Sequence, residues 1–458
     1  MIVTSTKLGP DPLVPALEQA RKGHAPAPGG RLALRVNFAW TLVGNLVYAG
    51  CQWGILVVLA KLGSPEVLGQ FALGLAVTAP VLLFTNLQMR SVQATDARRD
   101  YDFRDYLGLR TLTTAAGLLA IVGIVLASGY GPETGGVIVL VGLAKGLESL
   151  SDVCHGRFQQ LERMDRIAVS VMTKGILSLG IMATVILLTH NLLWATLGLA
   201  ASSALVLGGY DFRNVLRLTR QAPAARVGAN GRCGSPWHHL WPRWSARPLG
   251  RLVWLGLPLG AVMCLISLNT NVPRYFVEHH LGLRALGIFS AMGYVMVAGT
   301  MVINALGQSA TPRLAQCYAA GNLTAFRRLL LKMLVLGAVL GGAVVAVAVL
   351  AGRELLTVLY RPEYAEHAGA FIWLMVAAGI GCVASFLGYG ITAARYFRIQ
   401  TPLFLLVAGV TAAGCAVLVP SHQLLGAGWA VAIAALVQVV GSAGILAYAL
   451  RNARLVRK

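Results

Sequence analysis

Three ionisable residues, Lys145, Glu148 and Asp152, fall inside a stretch that is otherwise apolar enough to cross a bilayer. Their spacing of i, i+3, i+7 places them on one face of a helix. A charged side chain at membrane depth costs roughly 2.5–3.5 kcal/mol on insertion scales, so it is expected to pair, to face water or to do chemistry. Ion pairing and proton transfer are the chemistries these residue types support. A fourth charge, Lys174, lies about two turns into the next apolar run, which antiparallel packing sets at a depth between Glu148 and Asp152. Three arrangements are therefore open at this stage. Lys174 forms a structural salt bridge with Glu148 or Asp152, Lys145 reaches Glu148 at i+3, or Glu148 serves a proton relay.

Two further sets of polar residues share a helix face. Thr41, Asn45, Tyr48 and Gln52 recur at i, i+4, i+7, i+11, and Ser267, Asn271 and Arg274 at i, i+4, i+7. In hydrocarbon such groups need a partner or water, so each stripe either bonds neighbouring helices or lines a cavity. Pro273, just before Arg274, is a candidate kink. No HExxH, GxSxG or metal-ligand spacing occurs, and no GxxxxGK[ST] loop supplies a nucleotide motor. The expectation is a non-enzymatic protein with no metal and no cofactor. The seven cysteines include no C-x-x-C and, apart from Cys233, lie in or beside apolar runs, which suits small core residues. His279, His280 and His367 fall in expected outer loops and read as solvated.

The elements that position these residues follow from hydropathy. The chain is 57% hydrophobic and only 12% charged, and its mean hydropathy of +0.69 marks a polytopic membrane protein. Apolar runs occur near 36–60, 67–89, 107–128, 135–156, 167–189, 192–210, 252–276, 285–308, 328–351, 368–393, 400–420 and 424–448, which makes twelve spans. The net charge of +21 then resolves into topology. With the amino terminus in the cytoplasm, only Lys61, Arg274, Arg284, Arg353 and Arg361 of the 38 Lys and Arg residues fall outside, and Lys145 and Lys174 lie within spans. That is the positive-inside rule, so nucleic acid is not an expected partner. Both termini are expected in the cytoplasm, and residues 1–34 read as a cytoplasmic tail rather than a signal peptide. The remaining expected units are a six-helix bundle at 35–210, a basic connector at 211–250, a second bundle at 251–450 and a tail at 451–458. The connector's PWHHLWPRW and its arginines suit the surface of an anionic leaflet.

The two bundles show internal similarity. Leu68-Gly69-x-Phe71 resembles Leu286-Gly287-x-Phe289 at an offset of 218, as Asn86 does Asn304. Phe103-Arg104 matches Phe326-Arg327, and His190-Asn191-Leu192-Leu193 matches His422-Gln423-Leu424-Leu425, at offsets that grow along the chain. Six spans per half make the repeats parallel, related by a pseudo-twofold along the membrane normal. The expected fold is therefore an all-α integral membrane protein of two six-helix bundles around a central cavity, the architecture of a transporter.

Three strings now carry a family resemblance: KxxExxSDxxxGxxQxxERMDRIA at 145–168, LGLPLG at 255–260 with SLNTNVPRYF at 267–276, and LGxFSAMGY at 286–294. Over most of residues 35–450 the chain resembles bacterial polysaccharide flippases of the multidrug/oligosaccharidyl-lipid/polysaccharide (MOP) superfamily, the O-antigen and exopolysaccharide type. The resemblance implies export of undecaprenyl-pyrophosphate-linked oligosaccharide across the bacterial inner membrane by alternating access, for surface-polysaccharide (lipopolysaccharide, capsule or exopolysaccharide) biosynthesis. It also implies a cationic cavity and a place beside a polysaccharide polymerase and glycosyltransferases. The pyrophosphate would meet Lys145, Arg274 and Lys174, and one further arrangement opens, in which an acid is displaced as the phosphate arrives. Lys145 is the charge expected to be free. An inside-negative potential would assist export, at roughly 2.3 kcal/mol per charge per 100 mV.

The competing readings are weaker. A drug or metabolite antiporter of the same superfamily would keep an acid in the first half's lumen, and the first span has none. A major-facilitator carrier would show GxxxDRxGRR after the second span, which MRSVQATDARRD does not match. A polymerase or glycosyltransferase would carry a large outer loop, and the long loop here is an inner one.

Overall fold

The computed structural model describes residues 34–96, 100–221, 241–394 and 396–455. The amino-terminal tail expected at 1–34 and the carboxy-terminal one at 451–458 lie wholly or partly outside the described residues, as does the centre of the 211–250 connector. The regular elements among the described residues are all helices. The first half comprises α1 (Leu34–Leu62), α2 (Pro65–Thr85), the short α3 (Met89–Thr95), α4 (Phe103–Ser128), α5 (Pro132–Gln160), α6 (Met164–Thr189) and α7 (Leu192–Val206). A π-helical turn, Leu207–Asp211, joins α7 to α8 (Phe212–Gln221) without a break. The second half comprises α9 (Ala246–Ala319), α10 (Leu323–Leu359), the short α11 (Pro362–Ala365), α12 (Ala368–Ala393) and α13 (Phe397–Leu455).

Nine helical segments among the described residues are long and apolar enough to cross a membrane. Two of them fold back on themselves. In α9 the backbone leaves the helical region only at Gly282, with φ 78°, which glycine adopts without strain. Residues 256 and 260 pack against Leu87 and Phe84, and residues 283 and 287 against Gly69 and Pro65, so the first limb climbs α2 and the second returns from its far end. In α13 the reversal is at Gln423, with φ 54°, and Gly426 lies back against Leu418. Counting these limbs, and α5 with its charges, the molecule has twelve crossings in two bundles of six, as the hydropathy predicts. The helices overrun the apolar runs. Residues 277–281, including His279 and His280, are helix and not loop. Pro273 sits within helical backbone, and Gly282 marks the reversal between the two limbs.

The string ERMDR has a structural use. Glu162 takes a left-handed φ of 56° to turn the chain from α5 into α6. Asn37 of α1 clamps that turn, donating to the Glu162 carbonyl at 3.0 Å and accepting from Met164 N–H at 3.3 Å. Arg163 forks onto Asp165 at 2.8 and 2.9 Å, and Arg166 donates to Asn214 of α8 at 2.8 Å. The motif therefore ties three elements at the Lys/Arg-rich end of the bundle.

At the opposite end the lobes meet directly. A Cβ on Gly69 would stand 1.9 Å from the Leu283 carbonyl oxygen, and one on Gly287 would stand 1.9 Å from that of Pro65. Both pairs obey the 218-residue offset, since 65 maps to 283 and 69 to 287. The repeated Leu-Gly-x-Phe segments thus cross each other in a symmetric contact at the pseudo-twofold. Small residues permit this close approach of backbones. Leu68, Phe71, Leu286 and Phe289 flank the crossing within one apolar cluster that spans both lobes. Arg284 bridges Glu66 at 3.2 Å and Glu363 at 2.8 Å around it, and Arg361 donates to the Lys61 carbonyl at 2.6 Å. These exposed pairs are worth about 0–1 kcal/mol each, so the glycine crossing is the main seal.

A leucine at Gly69 or Gly287 cannot fit unless the lobes part at this end. Ser290, fully buried one turn beyond Gly287, is the reporter. In a background without the seven native cysteines, Ser290→Cys should resist a membrane-impermeant maleimide. Adding Gly69→Leu or Gly287→Leu should expose it. Continued protection would show that the crossing does not close this end.

Candidate functional site

Between the lobes, on the Lys/Arg-rich side of the crossing, lies a cavity of about 340 Å³. Thr78 and Leu82 of α2, with Asn86 at its C-terminal cap, form one wall, Lys145, Glu148, Ser149 and Asp152 of α5 a second, and Thr270, Asn271, Arg274 and Tyr294 of α9 a third. The i, i+3, i+7 spacing on α5 turns all three of its charges to this space. Most of the rest of that face is small: Gly142 packs on Ile121, and Gly146 on Thr114 of α4. Small residues let α5 press close to its neighbours while the long charged side chains reach inward.

The charges are arranged in unequal pairs. Lys145 Nζ donates to Glu148 Oε2 at 3.0 Å, and Tyr48 of α1 donates its hydroxyl to both Glu148 oxygens at 3.3 and 3.4 Å. Asp152 meets Arg90 of α3 at 3.4 Å. Arg274 donates to Asn271 Oδ1 at 2.8 Å, and its guanidinium sits 5.3 Å from the centre of the Tyr294 ring. Asn271 in turn donates to the Ser267 carbonyl at 2.9 Å and lies 3.3 Å from the Ser267 hydroxyl. Ser267, Asn271 and Arg274 therefore form a ladder along α9. Among the described residues no carboxylate lies within ion-pair distance of Arg274. It is the uncompensated cation of the cavity, a part that the sequence gives to Lys145.

Lys174 is the main correction. It is buried on α6, away from the cavity lining, within electrostatic range of Cys154 and pairing with neither Glu148 nor Asp152. The depth estimate behind the expected salt bridge is not at fault; the rotation of α6 is, because hydropathy does not fix which face of a helix meets its neighbour. On α1 the polar stripe divides. Tyr48 reaches the site and Gln52 supports it, whereas Thr41 and Asn45 lie nearer the basic end, exposed and outside the cavity wall. Thr41 bonds the Asn37 carbonyl of its own helix at 2.9 Å.

Several contributors escape sequence reasoning. Arg90 and Arg110 read there as inner-loop charges. Arg110 is 1% exposed and donates to both the carbonyl and the side-chain oxygen of Asn86, a wall residue. His155 continues the α5 stripe to i+10, a spacing that could have found it. Asp211 sits one residue beyond the sixth apolar run, and only the π-helical turn brings it into the protein interior. No group of three or more potential metal ligands occurs among the described residues.

Two further cavities adjoin. One of about 240 Å³ shares Thr270 and Arg274 with the first and includes Gln438 of α13. A larger one of about 850 Å³ shares Gln438 with the second and is lined by Gln88, Ser91, Tyr389, Gln400 and Ser442 among apolar neighbours. Polar side chains thus mark a path from the charged cavity into the second lobe.

Residues 258–417 match the MatE family. Over 406 residues the chain is 28% identical to the capsular polysaccharide biosynthesis protein CapF of Staphylococcus aureus, which covers 88% of this chain and 97% of that protein. It superposes on an inward-facing multidrug resistance MATE family transporter of the MOP superfamily with a TM-score of 0.70 at 13% identity, over 91% and 99% of the two chains. The chain shares the fold of that transporter. A second solved structure, the lipid II flippase MurJ in an inward closed conformation, gives a TM-score of 0.68 at 10% identity over 91% and 90%. The MatE match takes in the α9 wall of the cavity and much of the second lobe. At these identities the structures speak for the fold alone, and the chemistry of this chain rests on its own residues.

The Lys145–Glu148 pair gives a test of that chemistry. Removing one member of a buried pair leaves the other uncompensated, whereas removing both is far milder. Lys145→Met alone should lower the thermal midpoint in detergent, and Lys145→Met with Glu148→Gln should recover most of the loss. Additive losses would show that the two side chains do not interact.

Proposed function

We propose that this protein is a flippase that exports undecaprenyl-pyrophosphate-linked oligosaccharide across the cytoplasmic membrane by alternating access, for surface-polysaccharide biosynthesis. The observation that carries the reading is Arg274, a cation with only neutral partners, facing an inter-lobe cavity. The name of the S. aureus relative, capsular polysaccharide biosynthesis, and the description of MurJ as a lipid II flippase both support it.

The physical problem of flipping is desolvation. A glycan head carries many hydroxyls and a pyrophosphate carries charge, and stripping either of water costs several kcal/mol per unpaired group. Arg274 and Lys145 would take the pyrophosphate, the guanidinium by paired hydrogen bonds and the ammonium as a point charge. Lys145 is held meanwhile by Glu148, so the arriving phosphate replaces that carboxylate, which keeps the Tyr48 hydroxyl. The hydroxyls of the sugars would be met by Gln438, Gln400, Gln88, Ser91 and Tyr389 along the adjoining cavities. The lipid tail stays in the bilayer. In this reading the Lys/Arg-rich end is cytoplasmic, by the positive-inside rule, and the structure is the state that loads from that side. The polymerase, the glycosyltransferases and an anionic leaflet under the exposed Trp241 and Trp244 are the partners the reading implies.

A cation-exporting antiporter would need its acids unpaired. Here Glu148 has Lys145 and Asp152 has Arg90. An anionic cargo suits this balance.

Removing either cation should weaken pyrophosphate binding, since a hydrogen bond to a charged group contributes about 1.5–3 kcal/mol, or roughly 10–100-fold. Lys145→Ala and Arg274→Ala, made singly with expression checked, should each lose most export of the glycan in cells and most flipping of the pyrophosphate-linked lipid in proteoliposomes. Full export by both would sink the cationic-cavity assignment. Glu148→Gln, which removes the competing carboxylate, should instead bind the pyrophosphate lipid several-fold more tightly.

A further inference from the structure

Behind the cavity wall lies a histidine between two carboxylates. His155 Nδ1 faces Asp152 Oδ1 at 3.7 Å and Nε2 faces Asp211 Oδ1 at 3.7 Å, while the Ser170 hydroxyl of α6 lies 3.0 Å from Nε2. The imidazole is nearly fully buried, and Nδ1 has no hydrogen bond. Asp211 is fully buried, and neither of its oxygens finds a hydrogen bond. A buried carboxylate without hydrogen bonds is costly when ionised, and the cost falls only if a proton or a positive charge stays close. Asp152 is different. It lines the cavity with its side chain 39% exposed and so meets water and cargo. His155 thus connects a wet carboxylate to a dry one.

The other charged and titratable groups around this trio are few. Lys174 of α6 lies one turn beyond Ser170, and both it and Asp211 are within electrostatic range of Cys154. On the cavity side Arg90 of α3 pairs with Asp152, and Arg110 of α4 lies within electrostatic range of it. Arg90 balances Asp152, whereas Asp211 has only the imidazole within ion-pair distance among the described residues. The π-helical turn that aims Asp211 inward has the local geometry often found where a helix places a functional side chain.

We propose that His155 is a proton-binding site linked to the cargo site, which takes up a proton as a pyrophosphate enters the cavity and releases it as the pyrophosphate leaves. The inference rests on the pyrophosphate reading of the cavity. An anion placed on Lys145 and Arg274 brings negative charge next to Asp152 and favours positive charge behind it. Histidine is the side chain that supplies such a charge reversibly near neutral pH. The proton comes from water at the exposed Asp152, passes to Nδ1, and needs no other reactant. Linkage fixes the sign: if binding takes up a proton, binding tightens as pH falls and weakens as it rises.

Two measurements decide the matter separately. Titration calorimetry of the full chain with undecaprenyl pyrophosphate, in two buffers of different ionisation enthalpy at one pH, counts the protons exchanged. The wild type should take up about one more proton than His155→Asn, and Asp211→Asn should fall between them. Equal uptake by wild type and His155→Asn overturns the proposal while leaving the cargo reading intact. If the wild type binds no pyrophosphate lipid, the cargo reading fails, and with it the linkage. The proton site itself is read without any cargo. A pH-jump infrared difference spectrum between about pH 8 and pH 5 should carry an imidazole band lost in His155→Asn and shifted in Asp211→Asn. A spectrum identical in wild type and His155→Asn overturns the site whatever the cargo proves to be.

Discussion

The structure depends first on the contact between Gly69 and Gly287. Two helices approach there until a methyl group on either would collide with the opposing carbonyl. The contact is symmetric because the two halves are repeats, and the same Leu-Gly-x-Phe sequence provides both sides. Closure at this end sets the position of the first limb of α9 against α2, and hence Arg274 opposite the charges of α5. Tyr275 reinforces the same pairing by donating to the Ala76 carbonyl. In lipid no hydrophobic force holds helices together, so association rests on such backbone proximity and on hydrogen bonds. A contact with so few strong bonds can also be opened, which the proposed alternating access would require.

The charges of the interior follow a second constraint, that none be stranded at depth. Each acid at the cavity has a cation within 4 Å, and the most buried acid, Asp211, has the imidazole. Arg110 is the extreme case on the cationic side, fully enclosed and held by the carbonyl and amide oxygen of Asn86. This second layer explains why α5 tolerates Lys145, Glu148, Asp152 and His155 along one stripe. The helix is buried among partners that answer each charge, while lipid contact falls to its apolar neighbours. Among these, α4 and α6 expose Leu119, Leu126 and Leu188.

The sequence makes the crossings, the two-lobed repeat and the α5 stripe legible because each is periodic along one chain. Hydropathy repeats every span, the repeat offset is carried by short matched strings, and helical spacing puts Lys145, Glu148 and Asp152 together. The missing parts needed information that no single segment holds. Sequence gives only the depth of Lys174, but its partner depends on the rotation of α6 about its own axis. Arg110 stands in the first turn of one apolar run and Asp211 just past the end of another, so at such boundaries hydropathy reads them as inner-face charges although the helices carry them into the interior. The expected loop at 277–284 failed for the same reason, since polar helix ends look like loops. Nothing in the sequence around Tyr294 says that an arginine lies over its ring.

The pairing of Lys145 with Glu148 bears on how an empty carrier returns. A cavity that held only cations would carry their charge through the low-dielectric middle of each cycle, loaded or not, and the empty passage would be the costlier one. With Glu148 on Lys145 the empty cavity keeps one compensated cation and exposes only Arg274, softened by Asn271 and the face of Tyr294. If a pyrophosphate takes the place of the carboxylate, as proposed, the charge of the cavity would change sign by a small amount instead of building up. The carboxylate so displaced is not abandoned, because Tyr48 still donates to it from α1. On the proposed function the internal ion pair would act as a stand-in for the cargo, weakening ground-state binding while keeping both passages near neutrality. A tighter site made of unpaired cations would hold the lipid longer and return empty more slowly, so the acid on α5 is better understood as part of turnover than as a structural remnant.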